Sequence, residues 1–424
     1  MKVSVFTMEQ KTKKNDIYYT RKPINWLLKI FALSYNVQKK THFNTKGSFI
    51  RILITVGIVG LYNFTSMYKK FHTNIQYLDI SVSMQLMDFI QSIYDFCQYM
   101  VDIFFVYKYG REVSFEYFEQ YETVDKILGS EYYYSSIRSS LTRLTGFFIF
   151  IWTTSSSCDF IIWGLRIDWI VPVLYAVNYL FMFIKILTTL DLISHVMHIE
   201  CRLRIMGDLM QCCHTSAKCV LFPEQISKVK WFHCNTSVIL LEIEKHFERL
   251  KSHSLNDYNE FNWFIRCYLV LAEQSAFVNT MCGTRILLNS TSLLISMVTY
   301  SNLAAGLIII GFKKTEDNLV MAYFPALTSL MRMATCAALF ISLVHHCERV
   351  YRQRERIVCI IDHMLYSKNM SADLIATLKD FRGVVQTRPI YFHMANLVRL
   401  QYSLLVSTAS VVVTYTIILL QNTL

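Results

Sequence analysis

SLLVSTASVVVTYTIILLQNTL, residues 403–424, is an apolar run without a single charged side chain. At a rise of about 1.5 Å per residue it can cross the ~30 Å hydrocarbon core of a bilayer as one helix. Its hydroxyl groups do not argue against this, because Ser and Thr in a helix can return their hydrogen bond to the preceding turn. A span is therefore expected at 400–421, with Thr414, Ile418 and Gln421 along one stripe, since residues three, four and seven apart share a helix face.

Upstream, six further blocks have the length and apolarity of a bilayer span: 48–68, 77–107, 144–163, 169–193, 286–312 and 319–343. The pattern predicts an all-α membrane protein with seven transmembrane helices. The second block is longer than a bilayer requires, so it is expected to tilt or to emerge as a stalk. The fourth is expected to continue as helix through HVMHIECRLRIMGDLM, 195–210. WFIRCYLVLAEQSAFVNTMCG, 263–283, and VYRQRERIVCIIDHML, 350–365, have apolar residues at helical spacing and are read as helices that pack together below the membrane.

Composition agrees. Of 424 residues 53% are hydrophobic and 17% charged, where soluble domains have about 25% charged. The 12 Cys fall in apolar blocks or in long polar connections, so no disulfide framework is expected. The net charge of +11 does not point to nucleic acid, because the aromatic residues lie in the membrane blocks and are not interleaved with basic ones. It fits a positive cytoplasmic face against anionic lipid.

The connections alternate between long and short. One side of the membrane receives 1–47, 108–143, 194–285 and 344–399; the other receives short loops and the last three residues. Residues 1–47 carry ten Lys and Arg against Glu9 and Asp16, and with no signal peptide to carry it across, such a segment resists translocation. The N-terminus is placed inside and the C-terminus outside. Three regions follow: a cytoplasmic segment 1–47, helices one to six with their connections at 48–343, and inner helices with the last span at 344–424.

In the last span Thr414 and Tyr415, five intervening residues and Gln421 resemble the signature of insect gustatory receptors: Thr-Tyr, five hydrophobic residues, then Gln-Phe. Asn422 stands where that pattern has Phe. The approach TRPIYFHMANLVRLQYSLL, 387–405, is also similar to the family, as are the chain length and the short outer and long inner connections. The resemblance implies a tastant-gated, non-selective cation channel in the plasma membrane. It implies a homotetramer, or a heteromer with related subunits, held by an intersubunit anchor of cytoplasmic helices. Each last helix would line the pore, with Gln421 at the outer constriction, Ile418 at a hydrophobic gate, and Thr414 and Tyr415 below. A ring of apolar side chains closes a pore by dewetting, and a ring of amides coordinates a cation weakly enough to release it. The ligand is expected to be a bitter-type compound or a sugar.

Two features bear on a ligand site. Asp88, Asp95 and Asp102 recur every seven residues in the second block, with Gln91 and Gln98 alongside. Carboxylates at membrane depth need a counter-charge, water or a protein partner, and Lys185 and Arg332 are candidate partners. Structural ion pairs account for most of this stripe; Asp88, the outermost, is also a ligand candidate. Gln91, Trp152, Asp159, Tyr175, Asn178, Tyr179, Tyr300 and Tyr323 fall in the outer halves of spans two to six. Aromatic rings with a few convergent polar groups suit a small organic ligand, although for any one of them an interfacial belt is the simpler reading.

Nothing suggests an enzyme, a cofactor or a metal. CCHTSAKC, 212–219, lacks paired CxxC spacing, and His345, His346 and Glu348 are read as polar groups at a cytoplasmic helix end. The alternatives are a seven-helix G-protein-coupled receptor and a small-solute transporter. Against the first, there is no Asp-Arg-Tyr after span three and no Asn-Pro-x-x-Tyr in span seven. Against the second, Pro172 and Pro325 are the main helix breakers, whereas transporters bind at interrupted helices.

Overall fold

The computed structural model describes residues 17–34, 45–72, 82–112, 117–128, 133–166, 169–219, 257–313, 319–366 and 370–421. The basic segment 1–16, the connection 220–256 and the short connections 73–81 and 314–318 lie outside the described residues. In chain order the helices are α1 Ile17–Ile30, α2 Thr45–His72, α3 Val82–Glu112, α4 Phe118–Leu128, α5 Tyr134–Arg166, α6 Ile170–Cys219, α7 Asp257–Lys313, α8 Leu319–Leu365, α9 Ala372–Thr387 and α10 Tyr402–Gln421. A two-stranded antiparallel hairpin, β1 His393–Met394 and β2 Val398–Arg399, precedes α10.

Segments of α2, α5, α6, α7 and α8 are long and apolar enough to cross a membrane. The acidic stripe makes α3 more polar, and α10 is an apolar helix of 20 residues. With these two the spans number seven.

Three helices outrun the bilayer. α6 has 50 residues, α7 57 and α8 47, roughly 75, 85 and 70 Å at 1.5 Å per residue. The stretches at 263–283 and 350–365 are helical, as expected, and run continuously with the spans as parts of α7 and α8. Even at Gly283, where the polarity of α7 changes, the helix is unbroken, so the helical hydrogen bonding continues across the boundary.

Below the spans these extensions pack together through polar contacts. Arg349 reaches Glu200 at 2.7 Å and Arg356 reaches Asp208 at 2.7 Å, tying α8 to α6. The Arg202 guanidinium forks onto both oxygens of Asp125, at 2.8 and 2.7 Å. Beside it the Tyr117 and Tyr121 hydroxyls share a 2.7 Å hydrogen bond. Burial pushes the Tyr121 hydroxyl up to about 12 against the opposing pull of Arg202, so it stays neutral at any physiological pH. The hairpin docks on α7 at Gly283, where a Cβ would sit 3.1 Å from the Ala395 nitrogen. Asn279 fixes it by donating to the Tyr391 carbonyl at 2.7 Å and accepting from the His393 N–H at 3.0 Å.

The start of α10 is held by α8. Glu348 Oε1 accepts the Tyr402 N–H at 3.0 Å, and His345 Nδ1 meets the Tyr402 hydroxyl at 2.9 Å. Glu348 thus satisfies an open N–H at the N-terminus of α10, where the helix dipole also favours a carboxylate, and His345 holds the Tyr402 side chain.

Candidate ligand cavity and last helix

The acidic stripe of α3 is paired at each step, each time with a different helix. Asp88 meets Lys70 of α2 at 2.7 Å, Asp95 meets Lys185 of α6 at 2.8 Å, and Asp102 meets Arg285 of α7 at 2.7 Å. Lys185 was an expected partner and Arg332 was not one in fact: Arg332 pairs with Asp159 of α5 at 2.9 Å. Around the middle rung, Ser292 donates to Asp95 at 2.6 Å, and Gln98 donates to Asn289 at 3.1 Å. α3 is thus held to three neighbours by pairs about 10.5 Å apart along its axis.

At the Asp88 end of α3 these helices part around a cavity of about 120 Å³. Asp88, Gln91, Asp159, Tyr175, Asn178, Tyr179 and Tyr300 line it, seven of the nine residues singled out from the sequence. Trp152 stands one level deeper, its indole N–H donating to the Tyr179 carbonyl at 3.1 Å. Tyr323, half-buried near the start of α8, is not among the described lining residues. The sequence reading missed Trp163, Pro172, Thr299, Leu303, Ser329 and Arg332 as lining groups.

Two polar clusters face each other across this space. In one, Asp88 accepts from Lys70 at 2.7 Å and from Asn178 at 2.8 Å, and the Lys70 ammonium lies 3.8 Å from the Tyr175 ring centroid. In the other, Asp159 accepts from Tyr179 at 2.5 Å and from Trp163 and Thr328, each at 3.1 Å. The Arg332 guanidinium lies 4.2 Å from the Tyr179 ring and 5.6 Å from the Tyr300 ring. Its Nη2 is ion-paired with Asp159 yet makes no hydrogen bond of its own among the described residues. Each carboxylate has its own cation, so the cavity is close to neutral and offers a buried donor between aromatic walls. Such a site suits a small neutral molecule with an acceptor oxygen better than an ion.

α10 lies on the far side of α7. The Thr416 hydroxyl donates to the Val412 carbonyl at 2.7 Å and meets the Ser301 hydroxyl of α7 at 3.2 Å, while Thr299 and Leu303, two residues to either side of Ser301, face the cavity. At 100° per residue Thr414 and Ile418 point about 200° from Thr416 and Gln421 about 140°. All three are turned from their own chain, and they and Tyr415 are exposed; Tyr415 is 55% and Ile418 46% accessible. Among the described residues no group of three His, Cys, Asp or Glu side chains is placed to hold a metal ion.

The fold is similar to a solved structure, that of the insect olfactory receptor OR5 from Machilis hrabei. The likeness covers 96% of this chain and 99% of that one, at 12% identity and a TM-score of 0.58. The complex of that receptor with eugenol aligns over the same shares at 12% identity, with a TM-score of 0.47. No protein-family model matches the chain, and no curated protein does. At this identity the likeness establishes a shared fold.

Proposed function

We propose that the chain is one subunit of a ligand-gated, non-selective cation channel of the insect chemoreceptor type, a gustatory receptor whose ligand is a bitter-type compound or a sugar. One observation carries the reading. The last helix is anchored to its own chain through Thr416 and turns Thr414, Ile418 and Gln421 the opposite way. An exposed stripe ending in an amide is what a subunit contributes to a shared axis, and four copies around that axis make a pore. The olfactory-receptor fold supports the same assignment. It sits less easily with a G-protein-coupled receptor or a transporter.

In this reading the N-terminus is cytoplasmic and the C-terminus extracellular, and the extensions of α6, α7 and α8 with α9 form the anchor between subunits. Residues 344–424 then combine anchor helices and pore. The cavity among Asp88, Asp159, Tyr179, Tyr300 and Arg332 takes the ligand. α7 separates cavity from pore helix, so a ligand that displaces Thr299 or Tyr300 moves the element to which Thr416 is bonded. Opening spreads the four last helices until Ile418 no longer seals the pore. The ligand favours that state only by its stronger contacts in it.

The test is whole-cell current from cells expressing this chain, with G-protein signalling blocked, during perfusion of sugars and bitter compounds. A fast cation current whose permeability ratios change with Gln421→Ala is expected. Current abolished by the G-protein block, or an N-terminal tag that labels on intact cells, would overturn the proposal.

A further inference from the structure

Behind the cavity, α5 and α6 diverge and leave a groove of about 470 Å³ on the outer surface of the helix bundle, lined by Trp152, Ser156, Phe160, Ala176, Tyr179 and Leu180, among others. Both helices are apolar spans here, and their flanking side chains are exposed and oily: Phe150 is 70%, Ile161 50% and Val173 49% accessible. In a membrane this groove faces lipid, not water.

Its floor is polar. α5 carries the run Thr153-Thr154-Ser155-Ser156-Ser157 at this level. Ser155 bonds to the Trp152 carbonyl at 3.2 Å, but the hydroxyls of Ser156 and Ser157 make no hydrogen bond among the described residues. Several other span hydroxyls, those of Thr291, Thr299 and Thr335, return to the preceding turn. An unbonded hydroxyl costs free energy in hydrocarbon.

One side chain separates groove from cavity. Tyr179 lines the groove, the cavity, and a narrow space between them shared with Trp152, Tyr300 and Arg332. It is held there by its bond to Asp159, by Arg332 over its ring and by the Trp152 indole at its carbonyl.

We propose that this groove is a side door from the bilayer into the candidate cavity, closed by Tyr179, and that it binds membrane-partitioning amphiphiles. The apolar part lies between α5 and α6, and a hydroxyl head bonds Ser156 and Ser157 before passing Tyr179 toward Arg332. The inference deepens the ligand-cavity reading and rests on it for the destination. The tail gains little, because lipid is as apolar as the groove. The preference comes from the head, whose hydrogen bond in hydrocarbon corresponds to about tenfold.

The experiment uses the full chain reconstituted in phosphatidylcholine vesicles and photolabelled with a diazirine-bearing octanol, the insertion sites being read by mass spectrometry. Saturable labelling is expected on 152–161 and 176–180, reduced about tenfold by excess octanol and by Ser156→Trp, which fills the groove. Labelling at Leu53, Ile58 and Leu61, on the exposed face of α2, should rise linearly and respond to neither. Because Ser156→Trp could disturb packing, the double substitution Ser156→Ala and Ser157→Ala, which adds no bulk, should weaken groove labelling similarly. Tyr179→Ala should carry label inward to Tyr300. Groove labelling that is linear in probe, or no stronger than on α2, overturns the proposal. The readout is independent of current, so a silent channel with saturable groove labelling would refute gating alone, and a working channel without it would refute the side door alone.

Discussion

Replacing Lys185 by Met tests whether the buried ladder on α3 is electrostatic in substance. The two side chains are 3% and 4% exposed, and the ammonium lies 2.8 Å and 2.9 Å from the two Asp95 oxygens. Met keeps most of the stem volume, so the variant removes charge without opening a large cavity. Asp95 is then left with the Ser292 hydroxyl. The penalty is capped by the alternative of taking up a proton. For a carboxyl with an ordinary value near 3.9, neutralisation at pH 7 costs about 4 kcal/mol, at 1.36 kcal/mol per unit. That agrees with the ~3–5 kcal/mol known for breaking buried pairs. Lys185→Met with Asp95→Asn removes the orphan charge while keeping an acceptor for Ser292, and should recover all but about 1–2 kcal/mol. The assay is the half-life of the monodisperse detergent-solubilised protein at elevated temperature, a rate being the proper measure where unfolding is irreversible. A double variant no more stable than Lys185→Met would refute the argument.

Three further outcomes are expected. Thr416→Val removes the bond between α10 and α7; at ~0.6 kcal/mol for such a bond in a membrane, the proposed channel's half-activating ligand concentration should rise about threefold at unchanged surface density. If α10 lines the pore as proposed, Ile418→Asn replaces an apolar gate by one that wets, and should give current without ligand, measurable as resting cation conductance. Arg332→Lys keeps the charge but loses the planar fork stacked beside Tyr179 and Tyr300. A change of ~1.4 kcal/mol would raise the half-activating concentration about tenfold, whereas an unaltered dose response would remove Arg332 from the ligand site.

Spans were legible because a bilayer imposes a length and an apolarity that local composition records directly. The acidic stripe was legible for the converse reason, charge where charge is expensive. Partner choice was not, because the rotation of each helix about its own axis is set by packing with its neighbours. Lys70 had been read as part of an outer loop and Arg285 as just below a span, yet both pair with α3, while Arg332 turned to α5. The same limit explains Trp152, which lies seven residues and two helical turns from Asp159: it shares the aromatic's chemistry and the right face but sits at the wrong depth. Thr299, Leu303 and Ser329 were invisible because nothing in a small or aliphatic side chain separates a cavity wall from ordinary packing. On α10 the helical period put Thr414, Ile418 and Gln421 on one stripe but could not say where the stripe points. That direction depends on a contact the sequence does not encode locally, Thr416 against Ser301. With that contact in place Thr414, Ile418 and Gln421 lie on the side of α10 turned from α7, so the rotation of α10 about its axis is set by packing against α7 and not by its own sequence pattern.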